Sequence, residues 1–154
     1  MSISLTQKTA MSKRQQELNR ALEAMHFGFR AMTYQPDRRL SKLGLSRVHH
    51  RVLYFIGRHP GCSVNELLEI MRVSKQYLHK PLQKMIALGY VDQSIDMRDR
   101  RVRRLELTAR GRKLEHELSE IQRRRFAVIF RQLGPAAEKH WHRVMALLGE
   151  QADS

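Results

Sequence analysis

Acidic residues are scarce in this sequence. Its 154 residues include 15 Asp and Glu against 29 Lys and Arg, which gives a formal net charge of +14 at pH 7. An excess of this size favours polyanionic partners, nucleic acid first and an anionic membrane surface second. The plainer alternative is a basic protein whose charges only face solvent, so the positions of the charges decide between these classes.

Cysteine and long apolar runs are nearly absent too. The single cysteine, Cys62, excludes an intramolecular disulfide framework and is typical of a reducing compartment. We expect it to be a buried thiol, with a redox sensor as the alternative. No stretch approaches the roughly 18 consecutive apolar residues of a membrane span, and residues 1–16 lack the apolar core of a signal peptide. We therefore expect a cytoplasmic protein without a membrane partner.

Catalytic motifs are also missing. The sequence has no phosphate-binding loop, no Gly-x-Ser-x-Gly, no His-Glu-x-x-His and no plausible triad. The pairs His49/His50 and His140/His142 do not share a helix face, so their spacing is poor for metal ligands. We predict no enzyme, no metal site and no cofactor, although His26, His49 or His50 could line an effector pocket or join a site across a dimer.

The first third of the chain predicts a frayed polar tail at residues 1–10, then a long helix from Met11. Apolar residues recur in this helix at the alternating steps of a helix–helix seam. They are Leu18, Leu22, Met25 and Phe29. The pattern favours a seam between helices, with intramolecular core as the alternative. We expect the helix to end at Gln35-Pro36-Asp37, because a residue before proline disfavours helical angles.

Three helices with clear boundaries follow in the middle of the chain. Ser46 is a candidate N-cap of the first, and His59-Pro60-Gly61 is a turn. Ser63-Val64-Asn65-Glu66 has the pattern of a capping box for the second. Ser74 caps the third, and Gly89 suits the left-handed position after its end.

The third of these helices has a basic, acid-free face between residues 74 and 88. The outward positions are Lys75, Gln76, His79, Lys80 and Gln83. Lysine donates to guanine or phosphate, glutamine pairs with adenine, and the helix N-terminus attracts phosphate. By itself, this face could equally be an ordinary solvated one.

An arginine-rich hairpin follows, and it favours DNA. Residues 91–95 and 103–107 alternate as strands, and residues 96–104 hold five arginines against two aspartates. Such arginines need a counter-charge, which a DNA backbone supplies, and one of them can enter a narrow minor groove. We expect the Asp96 carboxylate to brace Arg98 through a charge-assisted pair. We call this hairpin the wing, and its candidate DNA-binding residues are Asp96, Arg98, Arg100 and Arg101.

Two further helices close the chain. Thr108 is the expected cap of a long helix, in which the step from Ile121 to Phe126 breaks the apolar phase and indicates a bend or a change of packing partner. Gly134-Pro135 separates it from a last helix. The apolar stripe of that helix is Trp141, Met145 and Leu148.

Several motifs together resemble one known family. They are Val73-Ser74-Lys75, Gly89-Tyr90-Val91, Asp96-Met97-Arg98-Asp99-Arg100-Arg101 and Leu107-Thr108-Ala109-Arg110-Gly111. This pattern over about residues 45–115 resembles the MarR (multiple antibiotic resistance regulator) family of bacterial transcription factors.

The resemblance implies a mainly α fold with a small β-hairpin wing, in which a winged helix-turn-helix at 45–108 is flanked by dimerisation regions at 11–44 and 109–154. It implies a homodimeric repressor of a pseudo-palindromic operator in double-stranded DNA, with an anionic aromatic small molecule as a candidate effector. The resemblance places five residues of the recognition helix in the major groove: Ser74, Lys75, Gln76, His79 and Lys80. It makes Arg98 the minor-groove arginine and Asp96 its brace. For the dimer we expect Leu18, Leu22, Met25, Phe29, Trp141 and Met145.

Pro81 departs from the family pattern because it lies inside the recognition helix. It removes the hydrogen bond to the Tyr77 carbonyl and should kink the helix, which either fits the groove or distorts the base-reading set. Three other functions stay open: an architectural DNA-binding protein of low specificity, a helical protein-interaction scaffold, and a membrane binder acting through residues 110–125.

Overall fold

The computed structural model describes residues 10–150. Apart from Ala10, the tail expected at residues 1–10 lies outside this range, as do the last four residues of the region 109–154. The described chain forms six helices and three short strands. In order they are α1 (Lys13–Ser41), α2 (Arg47–Arg58), β1 (Cys62–Ser63), α3 (Val64–Met71), α4 (Lys75–Ala87), β2 (Val91–Ile95), β3 (Arg103–Leu107), α5 (Ala109–Leu133) and α6 (Pro135–Glu150).

Hydroxyl side chains begin three helices at the predicted positions. Ser63 Oγ accepts from the Glu66 amide at 3.0 Å and the Glu66 carboxylate accepts from the Ser63 amide at 3.0 Å, so the capping box of α3 is complete. Ser74 Oγ accepts from the Tyr77 amide at 3.1 Å at the start of α4. Thr108 likewise caps α5. These caps fix where each helix of the central module starts.

The expected end of the first helix at Gln35-Pro36-Asp37 is wrong, because α1 continues through Pro36 to Ser41. A proline inside a helix leaves the carbonyl four residues earlier, here that of Met32, without its N–H partner. Here the Met32 carbonyl accepts a hydrogen bond from Gln122 Nε2 of α5 at 3.3 Å. The Pro36 ring is buried. Burial and this side-chain donor together offset the lost helical hydrogen bond.

The sheet has the antiparallel order β1–β3–β2. Both predicted strands form, with Val91 opposite Leu107 and Ile95 opposite Arg103. The sequence does not predict β1, because two residues carry no alternation to recognise. In β1, Ser63 lies opposite Arg104 of β3. The start of α3 is therefore attached directly to the wing.

The hydrophobic core lies where α2, α3, α4 and α5 meet this sheet. Its fully buried members include Leu53, Ile56, Leu67, Leu78, Met85, Leu105 and Leu118. The C-terminal part of α1 joins the core through Leu40, and Arg39 Nε contacts Glu117 Oε1 of α5 at 2.6 Å. Helix α6 buries no residue completely. The mainly helical architecture with a small hairpin is confirmed. Between residues 10 and 150, no helix is long and apolar enough to span a membrane.

Candidate nucleic-acid interface

Helix α4 has one buried face and one exposed face, as its sequence predicts. Leu78, Leu82 and Met85 are buried in the core. The candidate recognition residues all lie on the exposed side: Ser74, Lys75, Gln76, His79 and Lys80. The helix runs without interruption through Pro81. Two lysines and an exposed helix N-terminus on one surface make this face attractive to phosphate.

Three side-chain hydrogen bonds connect α4 and the residues just after it to other segments, two from arginines of α2 and α5 and one from Lys84 of α4 itself, and sequence patterns do not reveal any of them. Arg110 Nη1 donates to the Leu88 carbonyl at 2.8 Å, while its guanidinium lies 4.5 Å from the centre of the Tyr90 ring. Lys84 Nζ donates to the Gly44 carbonyl at 2.6 Å. Arg51 Nη1 also donates to the Tyr77 hydroxyl at 3.2 Å. Both ends of the helix are thus tied to neighbouring segments.

The turn between β2 and β3 is closed by its own backbone and by two aspartates. Asp96 N donates to the Val102 carbonyl at 3.0 Å, and Val102 N donates to the Asp99 carbonyl at 3.0 Å. The Asp99 carboxylate accepts from the Arg101 amide at 3.0 Å and from its Nε at 3.1 Å. These Arg101 hydrogen bonds lower the pKa of Asp99, which favours its ionised carboxylate.

Asp96 does brace the turn, but by contacts other than the expected pair with the Arg98 side chain. Its Oδ1 accepts from the amide of Arg98 at 2.7 Å and from that of Asp99 at 3.3 Å. Its Oδ2 accepts from Arg104 Nε at 2.8 Å. Hydrogen bonds lower the pKa of Asp96, the one from the Arg98 amide most and the one from Arg104 next. The ion pair takes this form because the pairing of β2 with β3 brings Arg104 beside Asp96.

Two wing arginines are unpaired. Within residues 10–150, no side chain or backbone group pairs with the guanidinium of Arg98 or Arg100, and both residues are exposed. Arg101, in contrast, is paired with Asp99. Unneutralised guanidinium groups on a rigid turn are suited to a phosphate backbone or a narrow groove.

The residues expected at a dimer interface divide into two groups. Those of α1 are largely exposed, including Leu22 at 71% and Phe29 at 46%. Of the two α6 residues, Trp141 already has aromatic neighbours in its own chain and Met145 is half-buried. The Trp141 ring lies 4.9 Å from that of Phe126 of α5. The break in the apolar pattern between Ile121 and Phe126 thus reflects a change of packing partner: the first part of α5 packs on the core, and the part from Phe126 onward packs on α6.

Comparison with known proteins decides what this architecture is. Residues 43–102 match the model of the MarR family. The chain is 39% identical over 137 residues to the HTH-type transcriptional regulator PetP of Rhodobacter capsulatus, covering 89% of this chain and 82% of PetP. The chain belongs to the MarR family. It is therefore a MarR-type transcription regulator and not an enzyme.

Solved structures show the same winged-helix fold. The MarR-family chain aligns with Streptococcus pneumoniae FabT, crystallised in complex with DNA, at a TM-score of 0.75 and 17% identity, over 90% of this chain and 97% of FabT. It aligns with the crystal structure of MarR at a TM-score of 0.66 and 24% identity, over 93% and 95% of the two chains. At these identities the likeness establishes the fold.

His49, His50 and Cys62 of this MarR-family chain have structural positions. His49 Nδ1 accepts from the Ser46 amide at 2.9 Å, and so caps α2. His50 Nε2 lies 3.1 Å from Ser119 Oγ in the buried contact between α2 and α5, and burial lowers the pKa of His50 to about 4. Cys62 is buried, which raises its pKa and disfavours the reactive thiolate. Residues 10–150 hold no His, Cys, Asp or Glu cluster suited to a metal ion.

A hollow of about 560 Å³ lies where α1 meets the start of α2. Its apolar wall includes Phe27 and Tyr34, and its basic side chains are Arg30, Arg38 and Arg47. Arg47 is paired with Asp37 at 2.7 Å. His26, His49 and His50 are not among the lining residues of this hollow.

Proposed function

We propose that this regulator is a homodimeric repressor that binds a pseudo-palindromic operator in double-stranded DNA. The observation that supports it is that the guanidinium groups of Arg98 and Arg100 have no partner between residues 10 and 150. In the same module, α4 exposes Lys75 and Lys80. Charges that the chain leaves uncompensated are available to a polyanion.

In this proposal each element contributes a different part of recognition. The N-terminal part of α4 enters the major groove and reads base edges with Ser74, Lys75, Gln76, His79 and Lys80. The wing follows the backbone, with Arg100 and Arg101 near phosphate and Arg98 in the adjacent minor groove. Asp96 contributes indirectly, because it holds the turn that carries Arg98.

The dimer proposal rests on exposed apolar residues of the long helices. Leu18, Leu22, Met25 and Phe29 form one stripe on α1 that is largely exposed in the single chain. An apolar stripe of this kind is typical of a protein–protein interface. We assign dimerisation to the regions 11–44 and 109–154, with Trp141 and Met145 at the edge of the interface. A two-fold symmetric dimer presents two wings to two half-sites, which is why its operator is pseudo-palindromic.

We further propose that an anionic aromatic effector releases the repressor by binding the hollow between α1 and α2. Phe27 and Tyr34 offer an apolar and aromatic wall, while Arg30 and Arg38 offer positive charge. The hollow joins the dimerisation helix to the DNA-binding module, so a ligand there could change the angle between them. The expected place of action is the cytoplasm, where DNA and such metabolites meet.

The test is fluorescence anisotropy across a salt series, with a labelled duplex from directly upstream of this protein's own gene and a scrambled duplex as competitor. We expect strong preference for the genomic duplex and weaker binding as salt rises. Gln76→Ala should reduce that preference, and Gln132→Ala, a matched change on exposed α5, should not. Equal binding of both duplexes would favour an architectural DNA-binding protein of low specificity. Absence of binding at low salt would favour a helical protein-interaction scaffold.

A further inference from the structure

A continuous chain of contacts joins the wing turn to the first turn of α3. At one end, Asp96 Oδ1 accepts from the Arg98 amide at 2.7 Å. Asp96 Oδ2 then accepts from Arg104 Nε at 2.8 Å, and Arg104 Nη1 lies 3.2 Å from Glu66 Oε1. At the other end, Glu66 Oε2 accepts from the Ser63 amide at 3.0 Å. In each carboxylate, therefore, one oxygen contacts Arg104 and the other accepts from a backbone amide.

The sheet register makes this bridge possible. Arg104 lies on the central strand β3, opposite Ser63 of β1 on one side and opposite Ser94 of β2 on the other. From this position the planar guanidinium reaches Asp96, just after β2, and Glu66, in the first turn of α3. A lysine would offer one compact charge in place of this fork, and so could not hold both carboxylates in the same geometry.

We propose that Arg104 is a positioning residue for DNA binding, which bridges Asp96 and Glu66 and thereby holds Arg98 at a fixed place relative to α3 and α4. Beyond the two residues that pair with β1, the wing is a two-stranded hairpin. Such a hairpin is only marginally stable by itself, so its far end needs an additional anchor. A binding group must be held to within about 0.5 Å by its supporting contacts. This inference deepens the proposed function and rests on the wing's role in it.

The guanidinium of Arg104 makes its contacts within the protein. Its Nε and Nη2 both contact Asp96, and its Nη1 contacts Glu66. The side chain is 35% exposed, against 91% for Arg101 in the same wing. Arg104 is therefore distinguished from the DNA-contacting arginines by its partners and by its burial.

The experiment measures affinity for the duplex that the wild-type protein binds best. Arg104→Ala should weaken binding by roughly tenfold, the loss expected for one charge-assisted contact. Arg104→Lys keeps the charge but not the fork, and should bind about as weakly as Arg104→Ala. Glu66→Gln keeps the cap of α3, because glutamine serves in a capping box, but removes the charge facing Arg104. It should also weaken binding, with a melting temperature close to that of the wild type.

A double-mutant cycle with Arg98→Ala shows whether Arg104 acts through Arg98. If it does, Arg104→Ala should change the affinity of the Arg98→Ala protein by less than about twofold, because the group that it positions is already gone. Full additivity of the two losses, or wild-type affinity of Arg104→Lys, would overturn the proposal in favour of a direct phosphate contact. If Arg104→Ala does not fold, Arg104→Lys and Glu66→Gln still distinguish a positioning role from a direct phosphate contact.

The cycle also separates this inference from the function on which it rests. Wild-type affinity of Arg98→Ala would remove the wing from DNA binding, and the role of Arg104 with it. Weak binding by Arg98→Ala together with normal binding by Arg104→Ala and Glu66→Gln would leave the proposed function in place and overturn only the positioning role.

Discussion

The backbone of Tyr90 lies directly against Gly111, so that a Cβ added at Gly111 would overlap the Tyr90 carbonyl oxygen. The same carbonyl accepts a hydrogen bond from the Thr108 amide at 3.1 Å, which joins the start of α5 to the strand that leads into the wing. The last residue of the motif Leu107-Thr108-Ala109-Arg110-Gly111 is thus glycine for a steric reason.

Gly111→Ala should therefore destabilise the protein. The clash involves backbone rather than a flexible side-chain end, so α5 or the wing must shift, at a cost of about 1–3 kcal/mol or somewhat more. Urea unfolding followed by circular dichroism measures this loss. Gly149→Ala is the matched control, because a Cβ there meets nothing within 4 Å. Equal stability of both variants would show that α5 adjusts without cost.

Arg98→Ala should weaken operator binding by about 1–3 kcal/mol and reduce the slope of log affinity against log salt by about one. The reason is that the guanidinium of Arg98 has no partner between residues 10 and 150, so its charge is available to DNA. Arg125→Ala removes the same charge from exposed α5 and serves as the control. A salt series by anisotropy gives both quantities, and identical curves for the two variants would contradict a specific wing contact.

Leu22→Glu should convert the dimer to a monomer. Leu22 is 71% exposed in the single chain and lies on the apolar stripe of α1, where a carboxylate would be buried against a second copy without a partner. Light scattering measures the mass of each variant. Gln16→Glu adds one negative charge on the opposite face of the same helix and should leave the dimer intact. A dimeric Leu22→Glu protein would place the interface elsewhere.

Stability should fall in mild acid because of His50. Burial lowers the pKa of His50 in the folded protein to about 4, from an ordinary value of 6.5. As pH falls, the unfolded chain therefore binds this proton first. The contribution is fully present above about pH 6.5 and is lost towards pH 4, by about 3 kcal/mol in total.

Urea unfolding at pH 7 and at pH 4.5 tests the His50 contribution. His50→Gln should lose less stability between the two values than the wild type does, because glutamine does not titrate. His140→Gln, at an exposed position of α6, should lose as much as the wild type. Parallel losses in all three proteins would assign the acid sensitivity to other groups.

Local signals predicted the module well. The caps at Ser63, Ser74 and Thr108 each depend on a residue three positions away, and all three form. The strands β2 and β3 were also predictable, because five residues show alternation. The exposed residues of α4 follow from helical periodicity, since the apolar positions determine which face is buried.

The errors have a common cause. Gln35-Pro36-Asp37 has the local pattern of a helix end, yet α1 continues because Gln122, 90 residues away from Met32 in the chain, supplies the missing donor. Asp96 does brace Arg98, but through the Arg98 amide, and the guanidinium with which it pairs is that of Arg104, which the pairing of β2 with β3 brings close. In both cases the deciding partner is distant in sequence.

The sequence by itself determined the helix starts, the hairpin, the basic wing and the family to which the chain belongs, because each depends on residues close together in the chain. Only the tertiary structure decided the length of α1, the presence of β1 and the bridge from Asp96 through Arg104 to Glu66. These features depend on hydrogen-bond donors and acceptors that meet only after folding, when a buried carbonyl or an exposed turn takes whichever partner the packing of the helices and the sheet brings within reach.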